Sequence, residues 1–313
     1  MSRLILVMQF PIKLRYQEFW WEEFPKEFLK YYDEVIVLGN QLVHFFMGDH
    51  MVEDKSMFSS IKISTLLEIE QIREYLELDL KDSDTLFSCD LSFPGFFSNV
   101  LYHKKPKKIF SFCHATSLNA YDYFWKVRKS KWLVETGNSK LFNKIFVGSN
   151  YHKQKLGWSN VIVTGVPKPP FQTLKEEKIY DIISVSRPSI QKVNKKFEKK
   201  IERDFGKIIR KECGSWKEYY KFLSSGKVIL FTGKEDTFGY SILEAAMNNS
   251  IPIAPNKFAY PELLGREFLY NDLDEAIAAI WNGIHFSDQL PEIQCMDLVN
   301  NFYENIAKEM LNV

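Results

Sequence analysis

Short apolar runs rich in β-branched and aromatic residues alternate along this chain with stretches whose apolar positions return every three or four residues. The first pattern belongs to buried strands and the second to amphipathic helices. Strands are predicted at 4–10, 34–38, 42–47, 61–64, 85–89, 108–113, 144–148 and 160–164, and helices at 16–31, 64–78, 93–103, 119–132 and 151–156. Then Gly165-Val166-Pro167-Lys168-Pro169-Pro170-Phe171 interrupts the pattern. Three prolines and a glycine in seven residues exclude a helix or a central strand, and predict an interdomain hinge. The alternation restarts with strands at 179–185, 227–232, 251–254 and 267–270. Helices are predicted at 195–204, 216–223, 238–248, 274–280 and 297–311, with a helical turn at 261–264. Strands alternating with helices predict an α/β fold with parallel sheets. The break sets two domains, 1–165 and 166–313, the last helix packing back on the first.

Parallel sheets bind ligands at the carboxyl ends of their strands, beside helix N-termini. That rule selects His114, Ser149, Arg187 and the segment after Thr232. In that segment Asp236 stands at a strand-to-helix turn and Glu244 lies eight residues on. Gly239 keeps the turn small, and the amides of Thr237, Phe238 and Gly239 are placed to meet a phosphate or a polar sugar. Carboxylates suit sugar hydroxyls, because a charged acceptor strengthens each hydrogen bond. The plainer alternative makes Asp236 a helix cap and Glu244 a solvated helix residue. Arg187 and Lys192 form a second candidate pair, two cations able to neutralise a diphosphate. The alternative for Lys192 is a charged helix shared with Lys195, Lys196, Lys199 and Lys200.

These residues resemble a known signature. Asp236, Phe238, Gly239, Glu244, Ala245 and Pro252, followed by Pro261-Glu262, resemble the donor-binding segment of retaining GT-B glycosyltransferases, especially glycosyltransferase family four. Ile183-Ser184-Val185-Ser186-Arg187 with Lys192, and Phe110-Ser111-Phe112-Cys113-His114, resemble two further family segments in order. The resemblance implies two Rossmann-like domains facing across a cleft, a UDP- or GDP-sugar donor, no permanently bound cofactor and no metal. It implies that Arg187 and Lys192 hold the diphosphate, Glu244 the ribose, and Asp236 and His114 the sugar. Three departures stand out. The first acid is Asp236 where the family has Glu, and Ser186 stands where glycine often precedes the arginine. The loop Pro11-Ile12-Lys13-Leu14-Arg15-Tyr16 lacks the family's glycines, leaving Lys13 or Arg15 as possible substitutes. Other reaction types on the same fold, an epimerase or a phosphorylase, and a silent binding module stay open.

Charge and cysteines narrow the rest. Residues 101–160 carry 12 lysines and arginines against two acids, whereas residues 1–100 carry nine against 17. The basic stretch predicts a face for an anion or a solvated lysine-rich surface. Lys126, Arg128, Lys129 and Lys131 are the members expected at the cleft mouth. The acceptor is left open among a glycan, a lipid, a protein and a modified nucleic acid, and peripheral membrane contact is possible through the aromatic stretch at 16–24. Four scattered cysteines, none paired as C-x-x-C, predict neither zinc nor a disulfide framework and point to a cytoplasmic protein. No apolar run reaches about 18 residues, so no membrane span is expected.

Overall fold

The computed structural model describes residues 2–43, 57–91, 95–100, 105–120, 127–169, 176–186, 192–286 and 290–312. Its first sheet holds six parallel strands, β1 (Arg3–Val7), β2 (Glu34–Val37), β3 (Thr85–Ser88), β4 (Lys108–Phe112), β5 (Lys144–Val147) and β6 (Val161–Val163). They lie in the order β2-β1-β3-β4-β5-β6. The second holds β7 (Tyr180–Ile183), β8 (Gly226–Leu230), β9 (Ile251–Pro255) and β10 (Leu269–Tyr270), in the order β10-β9-β8-β7, also parallel.

Strand alternation explains the layering. Leu4 and Leu6 join one apolar cluster and Ile5 and Val7 another, because successive side chains point to opposite faces. Both faces of β1 are therefore covered, as parallel sheets require. In the second sheet Val228 and Leu230 face one cluster while Ile229 faces the other. The cluster that contains Leu4 and Leu6 also contains Ile229, Phe238 and Ile242, so one apolar layer runs from the first sheet to the second. The helix Phe302–Leu311 lies against the first sheet's helices: the Phe302 ring sits 5.9 Å from both Phe24 and Phe112. Lys144 Nζ meets Glu309 Oε2 at 2.6 Å.

Three predicted elements differ. Residues 61–64 are not a strand but part of the helix Met57–Glu77. Leu42 and Val43 are helical rather than extended, and 44–47 lie outside the described residues. A short apolar run reads alike in either state; here Leu67, Gln71 and Tyr75 are buried at four-residue spacing, which only a helix brings to one face. Of the helix expected at 119–132, residues 119–120 are not helical, 121–126 lie outside the described residues, and the end belongs to a helix that runs on over Arg128–Ser139. Its buried stripe is polar, made of Lys131, Glu135 and Ser139, while Leu133 is 74% exposed. Hydrophobic periodicity could not register such a face.

Candidate active site

The carboxyl ends of the two sheets open on a shared cleft of about 400 Å³, within the usual size of ligand sites. Part of its floor is the turn after β8. Gly239 takes φ +102° at the start of the helix Tyr240–Met247, a backbone state that side chains rarely adopt. A Cβ there would also come within 3.1 Å of Leu263 and 3.2 Å of Tyr260. Glycine thus lets the chain turn into this helix at the wall of the cleft.

Asp236 does not cap that helix. Its Oδ2 receives Lys192 Nζ at 2.7 Å and the Tyr260 hydroxyl at 3.3 Å, and its Oδ1 receives the Phe238 amide at 3.4 Å. Lys192 is therefore drawn into the cleft rather than lying on a solvated helix face. Glu244 is no solvated residue either, being only 6% exposed. Tyr219 and Tyr220 donate their hydroxyls to its two oxygens at 2.8 and 2.9 Å. Burial nevertheless pushes its carboxyl up to about 7, against the pull of the two hydroxyls. Both acids and Lys192 line the same cleft. Arg187 lies outside the described residues, next to the cleft-lining Ser186.

The remaining signature residues do something else as well: they join the two halves. The Thr237 hydroxyl donates to the His114 carbonyl at 2.8 Å, and Ser149 donates to the Thr237 carbonyl at 2.5 Å. Phe238 fills the space beside Gly148, where a Cβ would meet its ring at 2.9 Å. Glu262, of the Pro-Glu turn, accepts the amides of Asn150 and Tyr151 at 2.7 and 2.6 Å, closing the start of a helix of the first half. His114 faces the cleft among Tyr16, Trp20 and Phe112, its ring centroid 4.2–4.7 Å from theirs. Burial drives its pKa well below the ordinary range, so the ring is neutral at pH 7. Its Nε2 is buried without a hydrogen-bond partner in the described structure.

Several site residues escaped the sequence reading. Glu235 is 5% exposed and lines the cleft. It accepts Lys155 Nζ at 2.8 Å, the Tyr151 hydroxyl at 3.0 Å and Asn119 Nδ2 at 3.3 Å, all from the first half. The adjacent acids Glu235-Asp236 were visible, but nothing local says that the first is buried. Tyr219 and Tyr220 were visible as a tandem, yet their role follows only from Glu244 being placed between them. In the glycine-free loop, Leu14 adopts φ +58°, its amide held by Glu18 Oε2 at 2.7 Å, and Arg15 lines the cleft. The basic stretch needs a correction. Lys131 is buried beside Glu135, Asp90 and Glu68, not free at the cleft mouth. Burial lowers its pKa while those acids raise it. Arg128 and Lys129 are exposed, and Lys126 lies outside the described residues.

No family model matches the chain. Over 109 residues it is 31% identical to the tRNA-queuosine alpha-mannosyltransferase of Drosophila melanogaster. That stretch is 35% of this chain and spans only 29% of the length of that curated relative. Among solved structures, HepE of Anabaena in complex with UDP and glucose superposes with a TM-score of 0.62, 12% identity and all of both chains covered. Sucrose-phosphate synthase of Thermosynechococcus elongatus gives a TM-score of 0.62 at 9% identity, covering 99% of this chain and 97% of the other. With its two facing parallel sheets and these neighbours, the chain has the GT-B fold of glycosyltransferases.

Proposed function

We propose that the chain is a glycosyltransferase that moves a sugar from a UDP- or GDP-sugar to an acceptor, with retention of anomeric configuration and without a metal ion. The observation that carries this reading is the convergence of Lys192, Asp236 and the buried Glu244 on one cleft at the first turns of the Tyr240–Met247 helix. Lys192, with Arg187, neutralises the leaving diphosphate. Glu244 accepts the ribose hydroxyls, and Asp236 and His114 orient the sugar. The amides of Thr237, Phe238 and Gly239 face the donor's anionic part. A neutral His114 suits a hydrogen bond to a sugar hydroxyl better than to a phosphate. Residues 166–313 then serve the donor and 1–165 the acceptor, in a cytoplasmic protein whose four cysteines are free. Calorimetry with UDP and GDP tests the donor. Turnover is expected to survive EDTA, since side-chain cations take the place of a divalent ion. Complete loss with chelator, restored by magnesium or manganese, would overturn the metal-free mechanism.

A modified nucleoside of a tRNA is the acceptor favoured by the likeness to the Drosophila enzyme and by the exposed cations Lys105, Lys107, Arg128, Lys129 and Lys153. Replacing Arg128 and Lys129 by alanine is expected to weaken tRNA binding and to flatten its salt dependence by about one to two units of slope. An unchanged slope in a binding titration against salt would remove this acceptor face.

A further inference from the structure

The Arg128–Ser139 helix is arranged inside out. Its buried stripe is Lys131, Glu135 and Ser139, while Leu133, Val134 and the preceding Val127 are exposed. A surface helix ordinarily turns its apolar stripe to the core. Here the outward apolar residues gain nothing unless something covers them.

Helical spacing brings the outward residues together. Trp132 and Leu133 lie three and four positions after Lys129, so the cation, the indole and the aliphatic side chain are neighbours on one flank. Lys129 and Leu133 are exposed and Trp132 is half-buried. Trp158, from the turn after the Asn150–Leu156 helix, stacks on Trp132 with ring centroids 5.1 Å apart and planes inclined by 10°. Trp158 Nε1 has no hydrogen-bond partner among the described residues, so stacking and packing hold the pair.

The surroundings are cationic. Between 127 and 169 the chain has one carboxylate, Glu135, which is fully buried. Arg128, Lys129, Lys140 and Lys153 are exposed in the same stretch. What covers this flank must therefore be anionic and must also offer a flat apolar face. An unpaired nucleotide has both, a phosphate and a free base. A lipid surface fits less well. The aliphatic face is only Val127, Leu133 and Val134, interrupted by Ser130 and Gly137, and so small an area supports little insertion.

We infer that Lys129, Trp132 and Leu133 bind an unpaired nucleotide of an RNA, with Trp158 supporting the indole. The base lies on Trp132 and Leu133, and Lys129 meets a neighbouring phosphate. The inference rests on the tRNA-acceptor reading and extends it from charge, which any polyanion satisfies, to contact with a base. Stacking of this kind is tolerant of sequence, because every base has a π face.

Anisotropy of a labelled single-stranded oligouridylate and of an RNA duplex of equal length, titrated against salt on the full chain, tests this. Trp132→Leu is expected to weaken the single strand about 5- to 150-fold, the range for losing one base–aromatic stack. The salt slope should not change, since no phosphate contact is lost, and duplex binding should stay at the parent's level. Trp132→Phe, which keeps a ring, should recover most of the loss. Leu133→Ser is expected to weaken the single strand about three- to tenfold. Leu133 is largely in solvent, so this variant supplies the test even if Trp132→Leu does not fold. Single-strand binding at the parent's level in both variants, or an equal loss for the duplex, overturns the inference. So does a Leu133→Ser variant that loses vesicles of equimolar phosphatidylcholine and phosphatidylglycerol while keeping RNA, which would make the flank a lipid contact. A tRNA titration of the parent separates the two readings. Binding of tRNA that is indifferent to both substitutions refutes the base platform alone, and no binding of tRNA at low salt refutes the acceptor reading beneath it.

Discussion

Replacing Lys192 by methionine is expected to lower turnover about 100- to 1,000-fold, the range found when one preorganised stabiliser of developing charge is lost. The lysine sits 2.7 Å from Asp236. Side chains of this pair are 25% and 18% exposed, so solvent screens them only in part. On the proposed reading a diphosphate would compete with Asp236 for that cation, and its arrival would release the aspartate to accept a sugar hydroxyl. The single variant loses the cation and also leaves Asp236 facing the incoming anion. Pairing Lys192→Met with Asp236→Asn should recover part of the donor affinity but little of the turnover. Steady-state kinetics with donor hydrolysis as the readout checks both. Turnover within about threefold of the parent in the single variant would take the lysine out of the diphosphate site.

Glu244→Gln is expected to weaken UDP binding by about 5- to 150-fold, corresponding to roughly 1–3 kcal/mol for a hydrogen bond to a charged acceptor. The buried carboxyl of the parent titrates near 7. UDP should therefore bind more tightly as pH rises through that value, when Glu244 becomes the better acceptor, and the variant should lose this inflection. Stability moves the other way. Between about 4.3, the ordinary glutamate value, and 7, the folded chain keeps this proton while the unfolded chain has lost it. The associated stability is complete below the lower value and is lost as pH rises through the upper one. Melting curves from pH 5 to 8 should fall for the parent relative to Glu244→Gln. Parallel curves, together with UDP binding equal to the parent's, would dissociate Glu244 from the donor.

Much of this site could be read from the chain alone, for a physical reason. Asp236, Gly239 and Glu244 fall on one strand-turn-helix unit, and such units are encoded by neighbours: a short apolar strand, a glycine where φ turns positive, an apolar helix behind it. Short continuous apolar runs likewise marked both sheets, because a strand covered on both faces needs apolar side chains at successive positions. What those neighbours could not carry was burial imposed from a distance. Ser149 and Thr237 meet across 88 positions, and Asn119 and Glu235 across 116. No periodic pattern records such pairs, so Glu235 was given no role and Thr237 only that of a ligand contact. The Arg128–Ser139 helix misled for the same reason. Its polar stripe faces inward because Ser117 donates to Glu135 and Lys131 lies among acids, whereas Leu133 stays outside. Apolar runs and helical period express what each residue prefers by itself. Which polar groups end up buried depends on the partners that the assembled sheets bring to them, and those partners exist only once both halves have folded against one another.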